Sequence, residues 1–170
     1  LFINRIYRSI KIDPEVFEEV QKDNNATVAA ATVVVLSSLA AGIGASHLGR
    51  VNLFLAPGLS LITWFLWAYI VYFVGVKLFP DKKTKTTHAA LLRSIGFSSA
   101  PGMIRIFGFN ENLMAVTFVG SALWMLACMV VAVKQTLNYK SLGKAFGVVV
   151  IAWLVQAFAL ISILALTRNF

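Results

Sequence analysis

Residues 93–109 read RSIGFSSAPGMIRIFGF, and the number of times the chain crosses a membrane turns on them. Arg93 and Arg105 enclose only 11 uncharged residues, and Pro101 followed by Gly102 interrupts the helical pattern. A straight membrane helix needs about 20 apolar residues, each rising 1.5 Å, to cross about 30 Å of hydrocarbon. The stretch therefore reads either as a re-entrant dip or as a short, kinked span. Both arginines lie toward its ends, where long side chains reach headgroups, and Pro or Gly is tolerated where the freed carbonyls find other partners. The reading adopted is a span over residues 88–109, kinked at Pro101 and Gly102.

Its surroundings are simpler. Uncharged intervals run over 24–49, 51–76, 112–133 and 145–167, which is 26, 26, 22 and 23 residues. Each is long enough to cross. Of the 170 residues 59% are hydrophobic and 13% charged, near half the charged share of about a quarter usual in soluble domains. A soluble domain is excluded. The expected fold is an all-α polytopic membrane bundle of five transmembrane helices over about 27–48, 53–76, 88–109, 112–133 and 145–167, preceded by an amphipathic amino-terminal segment over 1–23.

The net charge of +8 is segregated. With the amino terminus inside, five crossings put 12 Lys and Arg residues on the inner side, against Arg50, Arg105 and Arg168 outside. If the third segment only dipped in and returned, the Lys134, Lys140 and Lys144 loop would move outside and the asymmetry would fall, so the positive-inside rule independently favours five crossings. The expected location is a bacterial inner membrane, with the amino terminus cytoplasmic and the carboxyl terminus external. The Lys82, Lys83 and Lys85 cluster is read as a topology signal, with anionic-lipid contact as an addition.

Within the first 23 residues, Phe2, Ile3, Ile6, Tyr7 and Ile10 recur at helical spacing with Arg5, Arg8 and Lys11 between them, a pattern suited to a membrane interface. Asp13 and Pro14 then mark the start of a second short helix, as N-cap and first residue. Its apolar face, Val16, Phe17 and Val20, is expected to fold back onto the inner ends of the bundle.

The order IDPEVFEEVQKD, SSLAAGIGAS, RSIGFSSAPGMIRIFGF and WMLACMVVAVKQTLNYKS resembles the prokaryotic branch of the Ypt-interacting-protein (YIP) domain family over nearly the whole chain. The resemblance implies a five-helix membrane protein with a cytoplasmic amino terminus. Eukaryotic members of that family are similar to adaptors that bind prenylated small GTPases in vesicle traffic through a long cytoplasmic region, and such contacts are not expected of residues 1–23. No functional residue carries over from the resemblance.

Chemistry inside a membrane needs ionisable or metal-binding groups facing a cavity, and the four long spans contain no Asp, Glu, Lys or Arg. Paired-acid catalysis, carboxylate-coupled transport and a di-metal centre lack ligands at that depth, so no catalytic or metal residue is assigned. Cys128 stands alone, without a disulfide or thiolate partner. His47 and His88 fall at opposite span ends; both suit interfacial structural roles, and His47 also stays open as a pigment ligand. Small residues recur every four positions at Ser38, Gly42 and Ser46, beside the row Ser37, Ala41 and Ala45, and again at Gly143 and Gly147, spacing that lets helices approach closely. Trp64, Phe65, Trp67, Tyr69, Tyr72 and Phe73 crowd the second span.

The expected function is non-enzymatic: an integral membrane protein acting by helix–helix association, as an organiser or accessory subunit of a larger membrane complex. Its partners would be the lipid bilayer and other membrane proteins, not nucleic acid, with bound lipid and no cofactor. Three alternatives stay open: a subunit that contacts pigment or quinone, a small-molecule or lipid transporter using Ser94, Ser98 and Ser99, and, by family analogy, a membrane-traffic adaptor.

Overall fold

The computed structural model describes residues 1–48 and 55–167, which form seven α-helices joined by turns and tighter helical segments. Asp13 caps the second helix by accepting the Glu15 N–H at 3.0 Å, and Pro14 opens it. Helices α1 (Phe2–Ile10) and α2 (Pro14–Lys22) form a hairpin. Its turn places Ile12 at φ 59°, and the N–H groups of Ile12 and Asp13 return to the Ser9 and Arg8 carbonyls. A β-branched residue there is strained, and the helix-ending hydrogen bonds hold it.

The long helices are α3 (Ala26–Gly44), α4 (Leu55–Tyr72, continuing as a π-helical turn over Phe73–Leu78), α6 (Glu111–Thr136) and α7 (Leu142–Thr167). Four segments, Ala26–Gly44, Leu55–Leu78, Asn112–Thr136 and Leu142–Ala159, are long and apolar enough to cross a membrane. Arg50 and Arg168, two of the three cations assigned to the outside, and the expected start of the second span at 53 lie outside the described residues.

The third expected span is not a fifth continuous helix. It divides into α5 (His88–Ser98) and a 3-10 helix over Ala100–Phe109. Pro101 has no N–H with which to continue the α ladder, and Ser98 and Ser99 turn their hydroxyls onto the Ile95 and Gly96 carbonyls at 2.7 and 2.6 Å. The change of pitch aligns a seam. From Gly102 to Gly108, six residues of 3-10 helix make two turns and rise about 12 Å, while the seven of α-helix from Ser37 to Gly44 make nearly two turns and rise about 10.5 Å. Gly96, Gly102 and Gly108 accordingly meet Ala30, Ser37 and Gly44 on α3 in the same order. A methyl on Gly96 would lie 2.8 Å from Ala30 Cβ, and one on Gly108 would lie 3.2 Å from the Gly44 carbonyl oxygen. On Gly102 it would strike the Ser37 side chain, and on Gly44 the backbone carbonyl of Arg105.

On its other side the same segment runs antiparallel to α6. Thr136 donates to Ser94 at 2.9 Å, Met125 lies beside Gly102, Arg105 donates to Ser121, and Phe118 lies beside Gly108. From Ser94 to Gly108 the chain therefore keeps pace with 18 residues of α6, about 27 Å.

The hairpin packs beside this layer. Val16, Phe17 and Val20 are fully buried in a cluster with Ala30, Phe97, Cys128 and Ala132. Phe2, Ile6 and Ile10 pack against that cluster, leaving Ile3 and Tyr7 outward. The Trp124 indole donates to the Ile10 carbonyl at 2.8 Å, 12 residues or about 18 Å before the end of α6. The hairpin thus climbs the side of the bundle instead of lying only across its end.

Candidate functional site

The two ends of the bundle differ. At one end, Trp67, Val71, Leu91, Val133, Leu137 and Val148 belong to a single core, and the lysine-bearing loops clasp each other over it. Thr84 donates to the Leu137 carbonyl at 3.0 Å, and Lys144 donates to the Pro80 carbonyl at 2.9 Å while lying over the Tyr139 ring. The Tyr139 hydroxyl sits 2.8 and 2.7 Å from the Gly75 and Phe79 carbonyls, where the π-helical turn frees acceptors from the α pattern. Burial, with Asp81 adding to it, pushes the phenol up to about 12.

At the opposite end α7 departs. Ala145, Val148, Val149 and Ala152 are buried, but Trp153 is 65% and Phe158 74% exposed. A cavity of about 800 Å³ opens beneath the departing half. α3 contributes Val34, Ser37, Ser38 and Ala41 to it; α4 contributes Ser60, Thr63, Trp64 and Trp67. Met125, Leu126 and Met129 line it from α6, and Val149, Val150, Trp153 and Gln156 from α7. Among the described residues, Arg105 is the one charged residue in the lining.

Both arginines expected to reach headgroups turn inward instead. Arg93 is 4% exposed and donates from Nε to the Val20 carbonyl at 3.0 Å and from Nη2 to that of Gln21. These are last-turn carbonyls of α2 that lack helical donors, so a cation there both caps the helix and opposes its dipole. Arg105 donates from Nε to Ser121 Oγ at 2.8 Å and lies 5.5 Å from the Phe118 ring centre. Among the described residues, the ion pairs join Arg5 and Arg8 to hairpin acids and Lys144 to Asp81, leaving Arg105 without a carboxylate.

The other sequence-predicted residues scatter. Ser38 lines the cavity, Gly42 is buried, and Ser46 and His47 occupy a short exposed 3-10 turn, Ser46–Leu48, after α3. Gly143 is exposed, and a methyl on Gly147 would meet nothing within 4 Å. Pro101 and Gly102 are buried in the 3-10 helix. Ser94 and Ser98 are buried in hydrogen bonds, while Ser99 borders the cavity. His88 at the lysine end approaches the Phe65 carbonyl at 3.3 Å, edge-on to the Phe65, Tyr69 and Tyr72 rings. The Trp64 and Trp67 indoles donate to the Leu92 carbonyl and to Met129 Sδ, so much of the aromatic crowding of the second span serves helix packing. Sequence reasoning missed Arg105 as a cavity residue; its signal was a cation four residues inside the span's expected boundary with no acid in the same segment.

Inside the hairpin Arg5 pairs with Glu19 and Asp23, and Arg8 with Asp13 and Glu19, at 2.6 to 2.8 Å. Hydrogen bonds from Arg5 hold Glu19 and Asp23 below the usual carboxylate range, and one from Arg8 does the same for Asp13.

Residues 8–164 match the sequence pattern of the Yip1 domain, from the last turns of α1 to the far part of α7. The chain belongs to the Yip1 domain family. Comparisons with curated proteins and with solved structures each returned no match. With several apolar helices of spanning length, this Yip1 domain is an integral, multi-pass membrane protein. Its match takes in α2, the α3 seam and the cavity walls together.

Proposed function

We propose that this Yip1-domain protein is a non-enzymatic, five-pass membrane protein that acts by associating with other membrane proteins, as an organiser or accessory subunit. The observation that carries the reading is the outer half of α7. Trp153, Leu154 and Val155 are exposed around the helix, where a membrane helix ordinarily gains its packing energy from a neighbour. Gly143 and Gly147, open on the same helix, leave room for close approach.

Five crossings are supported by the parallel course of α3 and the α5 to 3-10 segment, and by the lysine loops sharing one end. The proposed setting is a bacterial inner membrane with the lysine end and amino terminus cytoplasmic, following the charge rule. Cysteines placed in the Lys82–Lys85 and Lys140 loops are expected to react from the same, cytoplasmic side; reaction from opposite faces overturns the topology.

Association is tested with Trp153→Cys and Phe158→Cys in native membranes and a short bifunctional thiol reagent. The expected result is a discrete higher band at both positions. Migration only as the 18.6 kDa species, both on crosslinking and on native electrophoresis after gentle extraction, overturns the reading.

A further inference from the structure

We propose that the cavity beneath α7 is a binding site for an anionic membrane phospholipid, with Arg105 holding the phosphate and one acyl chain filling the apolar volume. The proposal goes beyond association and stands on different observations. Ser121 lies ten residues into α6, about 15 Å along the helix, so the guanidinium it meets sits well inside the span. A cation there is costly unless it is paired. Nε is engaged by Ser121 Oγ, the described residues provide no carboxylate, and the lining contains no acid. Among the described residues nothing complements the charge of this cavity, which a bound anion would do.

Size and access point to a lipid. At roughly 30 Å³ for each water-sized group, 800 Å³ holds about 27 such groups, enough for a long acyl chain with part of its headgroup. Thr63, Leu126, Val150 and Trp153 border the cavity and are also exposed on the outer surface, so the cleft opens sideways, where lipid lies. Gln156 on α7 and Ser60 and Thr63 on α4 provide polar groups on the way to Arg105, while Met125, Met129 and Val149 form the oily floor. A guanidinium fork suits the phosphate oxygens. Among the described lining residues no carboxylate stands ready for a choline ammonium, which favours an anionic over a zwitterionic headgroup.

The test uses the full chain in lipid nanodiscs with a phosphatidylglycerol probe carrying a photoreactive diazirine in one tail. Adducts are expected on Met125, Leu126 and Val150, displaced by unlabelled phosphatidylglycerol. Arg105→Gln is expected to lower labelling about ten-fold, as for loss of a charge-assisted hydrogen bond, and Arg105→Lys to retain most of it. Should Arg105→Gln fail to fold, Ala122→Phe keeps the charge and occupies the space, and is expected to abolish labelling at Val150. Equal labelling by the phosphatidylcholine probe, or labelling undiminished in both Arg105→Gln and Ala122→Phe, overturns the proposal. So does displacement by a free fatty acid but not by phosphatidylglycerol. A positive result with no protein crosslink on α7 would leave this site standing and remove the association reading; the reverse pattern would do the opposite.

Discussion

The seam between α3 and the α5 to 3-10 segment and the cleft beside α7 both lie against α3, yet one is closed and the other open. In the seam, glycine faces alanine, serine or glycine at matched spacing, and added methyls at Gly96, Gly102 and Gly108 would meet atoms of α3. Beside the cleft, a methyl on Gly147 would meet nothing within 4 Å, and Trp153 and Leu154 are exposed. Hydrocarbon tails are as apolar as leucine, so apolar character alone does not bring membrane helices together. Matched backbone approach does, and only the seam has it.

The most severe way to break that contrast is Gly44→Ala. The new methyl would press on the Arg105 backbone carbonyl, which cannot rotate away, so a loss of about 3 kcal/mol or more is expected in denaturant unfolding in detergent. Next comes Arg93→Gln, which leaves the Val20 and Gln21 carbonyls buried without their donor. A loss of about 2 kcal/mol is expected, read as faster proteolytic release of the α1–α2 hairpin with the remaining helices intact.

A smaller effect is expected from Glu19→Gln, since Glu19 joins Arg5 and Arg8 but is partly exposed; about 1 kcal/mol of hairpin stability should go. Acid should act in the same direction. The Asp13, Glu19 and Asp23 carboxyls hold protons less tightly in the folded hairpin than in the released one. Their contribution is therefore full above the ordinary carboxylate pKa of about 4 and is lost as pH falls through the lowered folded values. Hydrogen-exchange protection factors in α1 and α2 should fall between pH 5 and about 3, with little change in those of the α3 seam.

The smallest effect sharpens the comparison from the open side. Gly147→Ala adds a methyl to empty space in a helix interior, so stability should hold or rise by up to about 1 kcal/mol. A large loss there would mean that α7 is packed after all.

How legible all this was depends on distance along the chain. The uncharged intervals place the four long helices, and Asp13 with Pro14 marks the start of α2, because span length and end-capping are local properties. The six-residue recurrence of Gly96, Gly102 and Gly108 was also in plain view. Its meaning required knowing that a 3-10 helix follows Ser99 and that α3 runs beside it with Ala30, Ser37 and Gly44 facing in. Arg93 and Arg105 look alike in the sequence, as cations near the ends of one segment. One caps α2 from 72 residues away and the other borders a cavity.

Composition and charge spacing by themselves determined that the chain is a helical membrane protein and where its long helices lie, since burying about 20 uncharged residues in lipid leaves the backbone little choice but helix. The tertiary structure alone decided which small residues close a seam, which arginine is satisfied by the chain, and where α7 parts from the bundle. Those outcomes depend on the shapes two segments present to each other, and a side chain far away in the sequence sets half of each shape.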